Sequence, residues 1–421
     1  MCGLFGLQLK ASQPAIAAYR DLSPLRQAVI VRANSSGHRW PALYYPDPEF
    51  HEVTATFRAL ATLVLCVGLL SCTRPPDLIG IDSGARPVRS VSDASRQKIF
   101  IATTREATEA MGVFYSGERA PDLGLSSVVV SIPPGHQSGM IERPKRLPPD
   151  ARTEFAVIEP AVYANSTSFV AGINAELARR APQDRDLLLF IHGYNNTFTD
   201  SVLRIAQFVE DTKFSGVPVL FAWASAGKAS HYVYDLNSAL AARPQLLNTA
   251  KILGSSRARG IDLFAHSMGS LVTVEALVEA SVTDGPYTFD RVENVMFAAP
   301  DIDLDLFKTQ LNRMQGKTGN FFVFVSRDDR ALMVSRRISG GVDRVGAADA
   351  EELSSLGVTV IDLSEIDDSA SGTHSKFAGS PEVVQLIGSS LEKDNFDTKV
   401  KPPTLVEVLN DVPVVRVLVP D

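Results

Sequence analysis

From residue 97 onward, short apolar bursts alternate with longer stretches in which apolar residues recur at helical spacing. The bursts are "KIFIATT" (98–104), "SSVVVSI" (126–132), "DLLLFIHG", "PVLFAWAS", "IDLFAHS", "VENVMFAAP", "NFFVFVS" and "GVTVIDLS". Each reads as a strand. The stretches between them predict helices at 166–180, 198–211, 239–253, 269–281, 303–314 and 381–391. Strands alternating with helices of that length are the signature of a mostly parallel sheet with crossover helices on both faces, an α/β fold. No internal repeat or low-complexity tract interrupts the order.

The front of the chain follows a different pattern. Residues 59–71, "ALATLVLCVGLLS", form an uncharged run between Arg58 and Cys72. Spanning a bilayer takes about 20 apolar residues, so this run is short for a membrane helix and suits the core of a secretory signal. Leu69-Leu70-Ser71-Cys72 resembles a bacterial lipobox, which makes Cys72 the expected lipidation site, although Leu70 is bulkier than usual there. The position is unusual for a signal. A start near Val53 in place of Met1 accounts for it and leaves residues 1–52 as an extension without usable periodicity. The expected organisation is then 1–52 extension, 53–72 lipoprotein-type signal, 73–96 linker rich in Pro, Gly and Ser, 97–392 folded domain and 393–421 C-terminal tail. It implies a lipid-anchored protein of the bacterial envelope facing the periplasm; the alternatives are secretion or an uncleaved anchor.

Composition narrows the chemistry. The chain has 421 residues, a formal net charge of -7 and 45% hydrophobic residues. An acidic balance without a basic stripe argues against a nucleic-acid partner. The cysteines are Cys2, Cys66 and Cys72, so no disulfide or thiolate metal site is available to the folded part. No metal or nucleotide signature is present, and neither metal nor cofactor is expected. Asp301, Asp303 and Asp305 in "APDIDLDLF" lack a glycine-bearing loop with calcium spacing and read as a helix N-terminal cluster.

The stretch "IDLFAHSMGSLVTVEAL" (261–277) sets a buried strand against Ser267 and Gly269 and then a helix. A serine on such a corner is held in a strained conformation with its hydroxyl above the sheet, as a nucleophile requires; the alternative is an ordinary N-cap serine. Ala265 stands where the pattern usually has glycine and is still small. A nucleophile of this kind draws one oxyanion-hole N–H from the residue after it and one from a loop at the end of a neighbouring strand. Met268 and Tyr194, in "HGYNN", are those residues. His192, at the strand end beside that loop, reads as structural. Asp328 and Asp329 both follow a later strand and compete for the acid. Of seven histidines, only His374 in "SGTHSKF" follows the last predicted strand and completes the order Ser, Asp, His.

The motifs "VSIPPGHQSG", "FIHGYNNTF", "FAWASAG", "YVYD", "FAHSMGS", "APDID" and "SRDDRAL", in this order, resemble the bacterial α/β-hydrolase family catalogued as domain of unknown function 900, which is esterase- or lipase-like. The resemblance covers about residues 97–392. It implies an α/β-hydrolase fold and Ser267 as nucleophile, with Asp329 and His374 as partners. Ala224 departs from the family by standing where proline is expected. The implied activity is hydrolysis of a small-molecule or lipid carboxylic ester through an acyl-enzyme. An acyltransferase using the same triad, or a non-catalytic envelope lipoprotein on the same fold, are the alternatives. The segment 226–258, with Tyr232 and Tyr234, is either a substrate-covering lid or a crossover helix.

Overall fold

The computed structural model describes residues 90–109, 113–282, 291–314, 320–366, 374–392 and 416–420. All of them lie in the unit Pro75–Asp421, and the other unit is Met1–Arg74. The extension 1–52, the signal segment 53–72 with Cys72, most of the linker and most of the C-terminal tail therefore lie outside the described residues.

The strands are β1 (Ser95–Ala107), β2 (Tyr115–Ile132), β3 (Ala156–Val162), β4 (Leu187–Ile191), β5 (Val217–Ala222), β6 (Ile261–His266), β7 (Val292–Ala298), β8 (Asn320–Val325), β9 (Thr359–Asp362) and β10 (Arg416–Leu418). They form one sheet in the order β10-β9-β8-β7-β6-β4-β5-β1-β2-β3. Every pairing from β1 through β5, β4, β6, β7 and β8 to β9 is parallel, whereas β1–β2, β2–β3 and β9–β10 are antiparallel. This is the mostly parallel α/β-hydrolase architecture expected from the sequence.

The helices are α1 (Ser166–Ala178), α2 (Phe198–Thr212), α3 (Tyr232–Gly254), α4 (Met268–Val282), α5 (Leu304–Met314), α6 (Arg330–Ile338), α7 (Ala350–Ser354), α8 (Lys376–Gly379) and α9 (Pro381–Glu392). They cover both faces of the sheet. Side chains alternate across a strand, so Leu187, Leu189 and Ile191 of β4 join one core with Phe169 of α1, Ala239 of α3, Val272 of α4 and Phe307 of α5. Leu188 and Phe190 face the other core, with Val202 and Phe208 of α2, Phe377 of α8 and Ile387 of α9. Burial on both sides explains why these strands read as unbroken apolar bursts.

Among the described residues the eight expected strands and six expected helices are present, with two further strands and three further α-helices. β3 escaped the pattern because only its first three residues are buried and Glu159-Pro160 interrupts it. α6 buries only Leu332 and Ser335, too little to mark a helix by periodicity. The segment 226–258 is a crossover: α3 starts at Tyr232, runs through Pro244 and packs against α4 between β5 and β6. Asp303 accepts the N–H groups of Asp305 (3.0 Å) and Leu306 (3.1 Å), capping α5 as a helix-terminal acid does.

Candidate functional site

Ser267 is the single residue between β6 and α4, and it is buried. Its N–H continues the sheet ladder to Ala298 O at 2.9 Å, while its C=O already accepts from Ser270 N at 3.0 Å as the first turn of α4. Meeting both demands in one residue forces a left-handed backbone, φ 53°. That region costs a non-glycine residue on the order of 1 kcal/mol or more, the strain expected of a nucleophile corner.

The corner closes only because its neighbours lack side chains. A Cβ on Gly193 would lie 2.8 Å from Ser267 Cβ, and one on Gly269 would lie 2.4 Å from His192 O and 2.7 Å from Ile191 O. The obstacle at Gly269 is backbone and cannot rotate away. Gly269→Ala is therefore expected to destabilise the fold by about 3 kcal/mol. Chemical denaturation would read this as a lower midpoint at unchanged slope, and an unaltered midpoint would show that the helix can shift at no cost.

The close approach at Gly193 sets the peptide that follows it against Ser267. Among the described residues the Tyr194 N–H meets no hydrogen-bond acceptor, and Met268 opens α4, where an N–H has no partner within the helix. The loop 192–196 is fixed from several sides. Buried Arg105, at the end of β1, donates to Asn196 O (2.8 Å), Ser225 O (2.9 Å) and Ser116 O (3.1 Å). Fully buried Asp235 of α3 accepts from Asn195 N (3.0 Å), Ala226 N (2.7 Å) and the Ser225 hydroxyl. Asn196 Nδ2 donates to Gly193 O and Tyr194 O. The Tyr194 hydroxyl donates to Ala229 O, and its ring meets Tyr232 edge-on at 5.2 Å.

His192 staples this loop to β5. The Arg105 Nη2 donor 3.4 Å from Nε2 leaves the ring hydrogen on Nδ1, which donates to Gly193 O at 2.9 Å; the ring stacks on Trp223 at 4.9 Å, and Trp223 Nε1 donates back to His192 O. Burial, with the nearby Arg105 charge, lowers its pKa to about 3, so it is neutral at physiological pH.

Asp329 and His374 meet on the far side of Ser267's strand. Asp329 is fully buried and N-caps α6, accepting Leu332 N at 3.0 Å through Oδ1. Its Oδ2 accepts from His374 Nδ1 at 2.7 Å. With Nδ1 committed as donor, Nε2 is the nitrogen able to take a proton. Asp328 points elsewhere: Lys376 Nζ lies 2.9 Å from its Oδ1, and the Ser326 hydroxyl donates to the same oxygen. Partial burial opposes its ionisation, but these bonds outweigh that and hold its pKa below the ordinary value. The cap of α6 likewise belongs to Asp329 and not to Asp328.

His266, the residue before Ser267, supports His374. Its Nε2 lies 3.2 Å from His374 O, and since a carbonyl only accepts, that nitrogen carries the hydrogen. Its ring packs 4.9 Å from His374 and 4.7 Å from Phe377. Lost solvation and the neighbouring His374 push its pKa well below the ordinary value, keeping it neutral. Arg105, Asp235, Ser225 and Lys376 were not picked out by the sequence reading. Their only signal was membership of the stretches "YVYD" for Asp235, "FAWASAG" for Ser225 and "SGTHSKF" for Lys376.

Asp301 is also bound up in structure. It accepts from Tyr232 Oη (3.0 Å) and Ser335 Oγ (2.6 Å), and its N–H donates to Ser267 O (3.2 Å). Among the described residues no three His, Cys, Asp or Glu side chains gather in a way that could hold a metal ion. No described helix is long and apolar enough to cross a membrane.

A protein family described as "Alpha/beta hydrolase of unknown function" (DUF900) matches residues 166–390. Among solved structures, the crystal structure of the esterase domain from a Rhodothermus marinus protein is similar over 50% of this chain and 88% of that chain, with 14% identity and a TM-score of 0.30. No curated protein matches the chain.

Proposed function

Since the chain belongs to the DUF900 family of α/β-hydrolases, we propose that it is a serine hydrolase of carboxylic esters, with Ser267 as nucleophile, His374 as general base and Asp329 as the residue that orients it. The observation that carries this reading is the buried Asp329 carboxylate 2.7 Å from His374 Nδ1, in a chain whose strand-to-helix serine is held at positive φ. In the proposed reaction His374 Nε2 takes the Ser267 proton as Oγ attacks the ester carbonyl. The tetrahedral oxyanion is met by the Tyr194 and Met268 N–H groups. Collapse breaks the ester C–O bond, the alcohol leaves with the proton from His374, and water, deprotonated by the same histidine, releases the acid and restores Ser267. The partner is thus a small-molecule or lipid ester.

A panel of p-nitrophenyl esters from acetate to palmitate tests the proposal on the full chain, with fluorophosphonate labelling as the direct readout of the serine. Product analysis with and without an added alcohol separates hydrolysis from acyl transfer. Absence of both turnover and labelling would reject the reading and favour the non-catalytic alternative.

We also propose that Cys72 carries lipid and anchors the protein to the bacterial envelope. The support is sequence alone, namely Arg58, the uncharged run 59–71 and Ser71 before the cysteine. Mass spectrometry of the membrane fraction should then find a lipidated N-terminal Cys72 and no peptide from 40–70. Membrane attachment that survives Cys72→Ser would reject the anchor.

A further inference from the structure

The stretch "VSIPPGHQSG" has no part in the proposed reaction, yet its histidine is held between two carboxylates. His136 Nδ1 lies 2.7 Å from Glu142 Oε2, and its Nε2 lies 2.9 Å from Asp211 Oδ1. A carboxylate only accepts, so both ring nitrogens must donate, and that is the imidazolium. A neutral ring would set a lone pair against one carboxylate. The side chains of His136 and Asp211 are 10% and 3% exposed, so the Asp211 bond is shielded from water, while Glu142 is 22% exposed.

Asp211 passes this bond on. Its Oδ2 accepts Gly139 N (2.8 Å) and Gln207 Nε2, and the same Gln207 amide donates to Ala378 O at 2.8 Å. Gly139, at φ +86°, packs so tightly that a Cβ there would lie 2.4 Å from Gly379 O. Ala378 and Gly379 belong to α8, the helix that begins two residues after His374, and its Phe377 packs on the His266 ring.

We propose that His136 is a positioning residue: clamped between Glu142 and Asp211, it fixes where α8 sits and through it where His374 points. This rests on His374 being the general base. The groups facing the cluster are Glu142 from its own loop, Asp211 and Gln207 from α2, the Ala378 and Gly379 carbonyls from α8, and the Phe155 ring edge at 5.4 Å. Arg204 donates to Gln207 Oε1, and the Arg143–Asp200 pair bridges the same loop and helix. Burial opposes charge on His136, but the bonds and charges of Asp211 and Glu142 outweigh it and raise its pKa above 6.5. A raised folded-state pKa means the clamp is complete below that value and is lost as pH rises through the folded one. It therefore weakens on the alkaline side.

The test is the pH profile of kcat for a soluble ester between about pH 6 and 9.5, with hydrogen exchange of the peptide containing 374–380 followed over the same range. Wild type should lose kcat at the alkaline end, with KM unchanged and intrinsic-rate-corrected protection of 374–380 falling in parallel. His136→Gln should lower kcat about tenfold at neutral pH and flatten that alkaline limb. Glu142→Gln, which keeps the ring and removes one charge, should move the limb about one pH unit lower. It also covers the case in which His136→Gln fails to fold. Exchange does not depend on turnover, so an inactive protein whose 374–380 protection still follows His136 would reject the proposed reaction and keep the clamp. A limb and protection unchanged in both variants, or changes spread evenly over the whole fold, would overturn it.

Discussion

Replacing Ser267 with alanine is expected to lower kcat on a p-nitrophenyl ester by about 10⁶-fold, because removing the nucleophile of a triad costs nearly as much as removing the whole triad. The fold should survive. Alanine occupies the same positive-φ position, so the backbone strain at φ 53° stays as it is. Ser267→Gly should instead raise stability by about 1 kcal/mol while being equally inactive, since glycine adopts that conformation without steric cost. Fluorophosphonate labelling should vanish in both variants, read beside denaturation midpoints. Labelling that persists in Ser267→Ala would move the nucleophile to another residue.

Asp329→Asn is expected to lower kcat by about 10⁴-fold, the loss seen when the histidine of a triad is held in the wrong tautomer. An asparagine amide turned toward His374 Nδ1 donates where Asp329 Oδ2 accepts at 2.7 Å. Asp328→Asn should leave kcat within about tenfold, because its partner is the lysine side and its ion pair is half exposed. Its effect should instead fall on stability, since buried Lys376 would lose its counter-charge and keep only neutral acceptors, among them the Leu363 carbonyl at 3.0 Å. Kinetics of the two variants beside their denaturation curves separate the roles. The reverse order of kcat losses would reassign the acid to Asp328.

These two aspartates mark where the sequence stopped being informative. Both lie in the loop after β8, and no periodicity distinguishes them. The register of α6 decides, since the residue that caps the helix at Leu332 N is the one turned inward toward His374. Ser267 was easier to read because its strand, its small neighbours and the following helix are all local. His374 emerged by order along the chain, whereas its support from His266 and Phe377 depends on rings that meet only after folding. Arg105 gave no signal at all. A lone arginine at a strand end looks like a surface residue, and only the sheet order brings it beside residues 116, 196 and 225. β3 was missed for the opposite reason, being an edge strand with charged and proline positions that no buried face constrains.

The place of β1 in the sheet bears on how little of this chain can be cut out and still work. The stretch shared with the family begins at residue 166, yet β1 lies between β5 and β2 and covers the edge that β5 would otherwise expose. It also delivers the guanidinium that holds the loop after β4. A fragment trimmed to the shared stretch would bring an open strand edge and a slack loop together, so it would lose solubility and the fixed placement of residues 192–196 in one step. The smallest autonomous unit therefore includes β1 and β2, and gene fragments or fusions designed on the shared stretch alone would start in the wrong place.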